Sequence, residues 1–411
     1  MVHHFFHDSR TIRRLHEGSL GEHIDALATQ FQEQGYARGS AQLQLRIIAE
    51  LSRWLQRQGR TATDLTPSGV QAYLRYRQRQ GLPFHSAAAA CQKCLRLLRD
   101  HGLVAPERPP RLSARQRVEQ AFARYLAQER GLASATLANY MPVVRQFLQE
   151  RFRGGRLRLA ALRAGDVTRF VQRHAHDHSP GHSKVLLTAL RAFLRYLCHC
   201  GATATDLAPC VPSVPTWMYA TLPKGLRPDP VEQVLAACDR QSPRGRRDYA
   251  ILLLLARLGL RAGEVAALRL EDIDWVAGHL TLCGKGGRWS QFPLPADVGA
   301  ALAAYLRQDR PRCASRQVFI RQYAPRVGFA NWLAISALVR RTLARAGIAA
   351  PRSGAHVFRH SLASAMLRVG ASLAEIGELL RHRSPQTTRL YAKVDLGALR
   401  GLACPWPGGA R

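Results

Sequence analysis

Acidic residues are scarce in this chain. Only 28 Asp and Glu stand against 60 Lys and Arg, which leaves a formal net charge of +32 over 411 residues. That deficit argues against a basic partner and for a polyanionic one, because the arginines run along the whole chain instead of forming a tail. A DNA duplex, with one negative charge per roughly 1.7 Å of axis, is the leading candidate, and an anionic membrane is its rival. A GC-rich genome that writes Arg for Lys does not account for the missing acids. Long apolar runs are missing too. The longest, ILLLLA at 251–256, falls far short of the ~20 residues of a spanning helix. The opening MVHHFFHDSR lacks the basic-then-apolar layout of a secretion signal. Nine cysteines, an odd number in a large chain, point to a reducing compartment and away from a disulfide framework. A cytoplasmic protein that binds double-stranded DNA is therefore expected.

What is present is ordinary for a globular protein: 46% hydrophobic residues, and a length that suggests about three domains at roughly 150 residues each. Two Pro-rich stretches, VAPERPPRLS (104–113) and APCVPSVPTW (208–217), interrupt helical pattern and divide the chain into three segments. The first two segments resemble each other. GSAQLQLRIIAELSRWLQRQG (39–59) parallels ASATLANYMPVVRQFLQERF (133–152), each an amphipathic helix with an aromatic-Leu-Gln triplet. LTPSGVQAYLRYR parallels LRAGDVTRFVQRH, and HSAAAACQKCLRLLRDHG parallels HSKVLLTALRAFLRYLCHCG at an offset of 97 residues. The expectation is a duplicated all-α unit of about four helices.

The third segment mixes elements. RRDYAILLLLARLG reads as a helix stopped by Gly259. HLTLC and WSQFPLP flank GKGGR, the pattern of a β-hairpin whose turn carries Lys285. Helices follow over ALAAYLRQ, WLAISALVRRTLARAG and AHVFRHSLASAMLRVG.

In the last of these, His356 and Arg359 are spaced to share a helix face, with Leu362, Met366 and Val369 as an apolar stripe and Gly370 as the stop. SLAE (372–375) has the capping-box pattern and would turn Ile376, Leu379 and Leu380 inward ahead of His382. Ser384 is the expected N-cap of a short last helix, with Pro385 in the first position and Tyr391 about two turns in. Upstream, LGLRAGEVAALRLEDIDW sets Arg261 at a helix start, where the dipole favours anions and Arg suits phosphate.

The order Arg261, Lys285, His356-x-x-Arg359, His382, Tyr391 resembles the tyrosine recombinase (phage integrase) family. LGLRAGEVAALRLEDIDW, GKGGR, HVFRHSLAS and LLRHRSPQTTRLY carry the resemblance, over most of the third segment. It implies a mostly α protein with a small β-hairpin or sheet, built as a C-shaped clamp. Its parts would be an additional N-terminal helical domain (1–105), a SAM-like core-binding domain (113–207), an α+β catalytic domain (222–396) and a C-terminal tail (397–411). The family's chemistry implies that Tyr391 attacks a DNA phosphodiester to give a 3′-phosphotyrosyl link and a free 5′-hydroxyl. A phenol of pKa about 10 is some 3 units too weak an acid for neutral pH, which costs roughly 4 kcal/mol. Arg261 and Arg359 would hold the non-bridging oxygens, Lys285 would protonate the leaving oxygen, His356 would take the tyrosine proton and His382 would position the phosphate. Neither metal nor ATP is implied. The partners implied are DNA and a homotetramer on it, with partner recombinases as a further option. Alternatives on the same chemistry or scaffold are a type IB-like topoisomerase and a non-catalytic DNA-binding protein.

One position departs from the family pattern, which has Gly before the second histidine where this chain has Arg381. If that position requires positive φ, an arginine is strained there by ~1 kcal/mol or more, and Arg381 is expected to adjust DNA contact. CQKC (91–94) lies in helical pattern and reads as structural, HAHDHSPGH (174–182) reads as a polar loop, and GKGGR lacks the spacing of a P-loop. In the tail, Leu396, Leu399 and Leu402 form a short apolar ridge suited to docking on a neighbouring protomer.

Overall fold

The computed structural model describes residues 2–105, 111–154, 156–175, 179–213, 225–284, 287, 289–350 and 354–394. Lys285, most of the GKGGR turn, part of HAHDHSPGH and the tail from 395 onward lie outside them. The chain divides into two compact units, residues 107–221 and residues 1–106 with 222–411.

The first 105 residues hold α1 (Ser9–Leu15), α2 (Ile24–Glu33), α3 (Arg38–Arg57), α4 (Pro67–Arg79) and α5 (Phe84–Asp100) around a core of their own. Thr66 caps α4 by accepting from the Gly69 N–H, and Pro67 takes the first helical position, where its missing donor costs nothing. The 107–221 unit holds α6 (Ala114–Arg124), α7 (Ser134–Arg151), α8 (Ala164–Ala175) and α9 (Pro180–His199), with a second core.

The order helix, helix, 3-10 turn, helix, helix occurs in both. Arg38 and Ser134 start their helices 96 residues apart, and Pro67 and Ala164 start theirs 97 apart. Burial follows the same register: Ile48 pairs with Val144, Leu51 with Phe147, Val70 with Val167, and Tyr73 with Phe170. In the last helix the HS-to-HS match at 97 is off by one. Phe84 and Pro180 begin α5 and α9 96 residues apart, and buried Cys91, Cys94, Leu97 and Leu98 then fall on buried Leu187, Leu190, Phe193 and Leu194. One residue turns a helix by about 100°, so only burial resolves the slip. Cys91 and Cys94 are core residues of α5, and burial pushes both thiols up to about 12.

The remaining part is built on α11 (Pro243–Arg257), which follows α10 (Pro228–Ala236); residues 250–256 of α11 are all buried. After α12 (Ala262–Ala267) come β1 (Ile273–Asp274), β2 (His279–Cys283) and β3 (Trp289–Pro293), an antiparallel sheet in that order with Leu280 opposite Phe292 and Cys283 opposite Trp289. Leu280, Leu282 and Phe292 face the core, the alternation expected of a one-sided sheet. Then follow α13 (Ala296–Gln308), α14 (Trp332–Arg345), α15 (His356–Arg368), α16 (Leu373–Leu379) and α17 (Pro385–Thr388), the last running into a 3-10 turn, Arg389–Val394.

Two local expectations change here. Val369 is 85% exposed, because it is already the C-cap of α15, beyond the last turn that packs; the buried face is Val357, Phe358, Ser361 and Ala363. Tyr391 sits on the 3-10 turn, because α17 closes after four residues. Gly370 does end α15, at φ 89, and Ser372 and Glu375 do form a reciprocal capping box.

Candidate active site

Arg261 is the N-cap of α12. Its backbone N–H donates to Glu264 Oε2 and its Nη1 to Oε1, both at 2.9 Å. A helix begun by Arg has no capping side chain of its own, so the carboxylate three residues on satisfies the first donors instead. Arg261, Glu264, Trp289, Trp332 and His356 line one cavity of about 570 Å³. His356 is exposed at the first turn of α15.

Arg359 lies one turn further along α15 and is buried. Its Nη1 donates to the Gly259 carbonyl at 2.6 Å and its Nη2 to the Leu380 carbonyl. These bonds tie the end of α11 to the end of α16. Among the described residues it makes no ion pair. Burial, reinforced by the charge of Arg261, lowers its pKa to about 10. A buried guanidinium hydrogen-bonded only to carbonyls, with the Glu264 carboxylate acting on it short of an ion pair, favours an added anion.

The rings of His382 and Tyr391 stand parallel within 2° and 6.4 Å apart. His382 Nδ1 is hydrogen-bonded to Thr388 Oγ1 at 2.8 Å. Burial, then the charges of Arg359 and Arg261, depress the imidazole to about 4, so it is neutral near pH 7. Tyr391 is 2% exposed and packs with Ala363, Ile376 and Leu380. Burial pushes its phenol up to about 12, against the opposing charge of Arg359. Its hydroxyl lies 2.9 Å from Nδ1 of His360.

Arg261, Arg359, His382 and Tyr391 thus gather in one place from three separate stretches of chain, with His356 beside Arg261 in the cavity; Lys285 is outside the described residues. Two participants were not singled out from sequence. His360 stands next to Arg359 in HVFRH, where no spacing rule distinguishes it. Glu264 has the offset of a capping-box acid, but an N-terminal Arg disguises the pattern.

Arg381 is the one non-glycine among the described residues with positive φ, at 50°. Its side chain turns inward, with Nη2 on Glu264 Oε2 at 2.6 Å and its guanidinium carbon 4.5 Å from the Phe292 ring centre.

Comparisons with known proteins point to one family. Residues 224–396 match the phage integrase family, and residues 120–201 match the SAM-like N-terminal domain of phage integrases. A Sinorhizobium fredii protein named as a candidate integrase/recombinase, y4rA, is 44% identical over 99% of this chain and 100% of its own. The tyrosine recombinase XerD of Xanthomonas axonopodis pv. citri is 33% identical over 69% of this chain and 95% of its own. Among solved structures, the XerH site-specific recombinase bound to palindromic difH substrate superposes with a TM-score of 0.56 at 18% identity, covering 81% of this chain and 93% of that one. A lambda integrase tetramer bound to a Holliday junction gives 0.52 at 16%, covering 75% and 87%. At these identities the structures share the fold.

Proposed function

Because the chain belongs to the phage integrase family of tyrosine recombinases, enzymes of site-specific DNA recombination, we propose that it cleaves and rejoins DNA strands through a 3′-phosphotyrosyl link to Tyr391, as the recombinase of a mobile element. The observation that carries this reading is the Arg359 guanidinium, buried beside Arg261 and Tyr391 with no ion pair among the described residues. A phosphodiester placed there supplies the missing anion, and both arginines then stabilise the extra charge of the pentacoordinate state. The phenol oxygen bonds to phosphorus and the 5′-oxygen leaves as a hydroxyl; the reverse attack by another strand's 5′-hydroxyl rejoins DNA. The intermediate conserves the bond energy, so the reaction draws on neither metal nor ATP.

The phenol, held up at about 12, must lose its proton during attack. His360, in hydrogen-bond reach of the hydroxyl, is placed better for this than His356. His356 and Arg261, which share the cavity, then bind the phosphate, and neutral His382 holds the tyrosine ring by stacking. Lys285 is proposed to protonate the leaving oxygen.

Residues 222–396 are assigned catalysis and residues 113–207 the clasping of DNA. The parallel burial of α3–α5 and α7–α9 supports reading residues 1–105 as a second copy of that clasp. Several protomers on DNA, a tetramer in the complete reaction, are needed to exchange two pairs of strands.

Nicked duplexes tiled across the DNA that flanks this gene test the reading. The wild type forms a covalent adduct and Tyr391→Phe forms none. An adduct that survives the substitution overturns the assignment. Transfer of the held strand to a second duplex separates a recombinase from a topoisomerase.

A further inference from the structure

Arg381 combines three unfavourable features. It holds a positive φ of 50°, buries most of its charged side chain at 14% exposure, and leaves Nε and Nη1 with no hydrogen-bond acceptor among the described residues. A backbone in that region persists only where the surroundings over-determine it. Here the determinants are Glu264, which binds Nη2, and Phe292, whose ring offers a cation–π surface.

Glu264 is shared. Its Oε1 accepts from Arg261 Nη1, while Oε2 accepts from both the Arg261 backbone N–H and Arg381 Nη2. Arg381 also reaches Arg261 directly, its carbonyl accepting from Arg261 Nη2 at 3.4 Å. It therefore grips Arg261 by two routes, one through its own backbone and one through the carboxylate, across 120 residues of sequence.

We propose that Arg381 is a positioning residue for the phosphate-binding Arg261, holding Glu264 so that the carboxylate engages only Nη1 of the Arg261 fork and leaves Nε and the second N–H of Nη2 for the scissile phosphate. The physical reason is competition. A carboxylate prefers the two-pronged pairing with a guanidinium, and without Arg381 the Oε2 lone pair it occupied turns to the Arg261 guanidinium, drawing that side chain back and neutralising it. Glycine at 381 suits the backbone but cannot restrain Glu264. The strained arginine exchanges backbone comfort for control of the neighbouring charge.

The inference rests on the phosphotyrosyl reading above, and its test separates the two. The probe is the nicked duplex that gives an adduct with the wild type; absence of any wild-type adduct counts against that reading, not this one. With DNA saturating, Arg381→Gly and Arg381→Asn, which both tolerate positive φ, are expected to slow adduct formation roughly 10- to 100-fold, the cost of a small displacement at the reacting centre. DNA affinity and its salt dependence stay as in the wild type, and Tm does not fall, since backbone strain is released. Arg381→Lys, which keeps the charge, retains most of the rate. In a Glu264→Gln background, Arg381→Gly has no additional effect, because the two act through one carboxylate. Wild-type rates for the Gly and Asn variants overturn the proposal. So does a loss of affinity with a salt slope lower by about 1, which marks a direct phosphate contact. Additive effects with Glu264→Gln overturn it as well. If Arg381→Gly does not fold, the Lys and Asn variants decide by the same rates.

Discussion

The hydroxyl of Tyr391 is hydrogen-bonded to Nδ1 of His360, 2.9 Å away, although 31 residues separate them in the chain. α15 supplies the imidazole and the 3-10 turn after α17 supplies the phenol. The pair lies beside the buried Arg359, so an imidazole and a guanidinium stand on neighbouring residues of one helix.

His360→Ala is expected to slow adduct formation at least about 100-fold at neutral pH, the usual size of a positioned general base. His356→Ala, which leaves the hydroxyl's partner in place, is expected to weaken the phosphate contact and raise the DNA concentration needed. Single-turnover cleavage against DNA concentration separates the two. Equal rate losses at saturating DNA would show that His360 is not the acceptor.

Arg359→Lys is expected to reduce adduct formation by about 100- to 1,000-fold, because a lysine cannot reproduce the fork that binds two carbonyls and still faces the phosphate. Circular dichroism should show the folded protein, and gel-shift affinity should change far less than the rate.

Acid should loosen the catalytic part through His382. Its folded-state pKa, about 4, lies below the ordinary value of 6.5, so between these values the unfolded chain binds the proton and the folded one does not. Stability therefore falls as pH drops from about 6.5 to about 4, and changes no further from this group below that. Thermal melts across that range should decline less steeply in His382→Asn than in the wild type. Parallel slopes would remove His382 as the source.

Two apolar residues at opposite ends of α15 should behave in opposite ways. Phe358 is fully buried in the main core, and Phe358→Ala is expected to destabilise by about 3–5 kcal/mol in urea unfolding. Val369, although apolar, is exposed, and Val369→Ser should stay within about 0.5 kcal/mol.

Local features were legible in the sequence because short-range chemistry determines them. Gly259 and Gly370 end their helices, SLAE forms its box, and HLTLC pairs with WSQFP around a glycine turn, each a matter of a few adjacent residues. The order of Arg261, Arg359, His382 and Tyr391 was likewise readable, since the motifs that hold them are contiguous. The helix register of α5 against α9 was not, because amphipathic patterns tolerate a one-residue slip that only packing rejects.

The sequence by itself determined the charge that calls for DNA, the helices and hairpin, and which residue types line up for phosphate chemistry. Only the tertiary structure decided how they are used. It set His360 at the tyrosine hydroxyl, because that contact joins elements with no local spacing between them. It also turned Arg381 inward onto Glu264 and Phe292, a choice made by burial and charge balance across three distant stretches of chain.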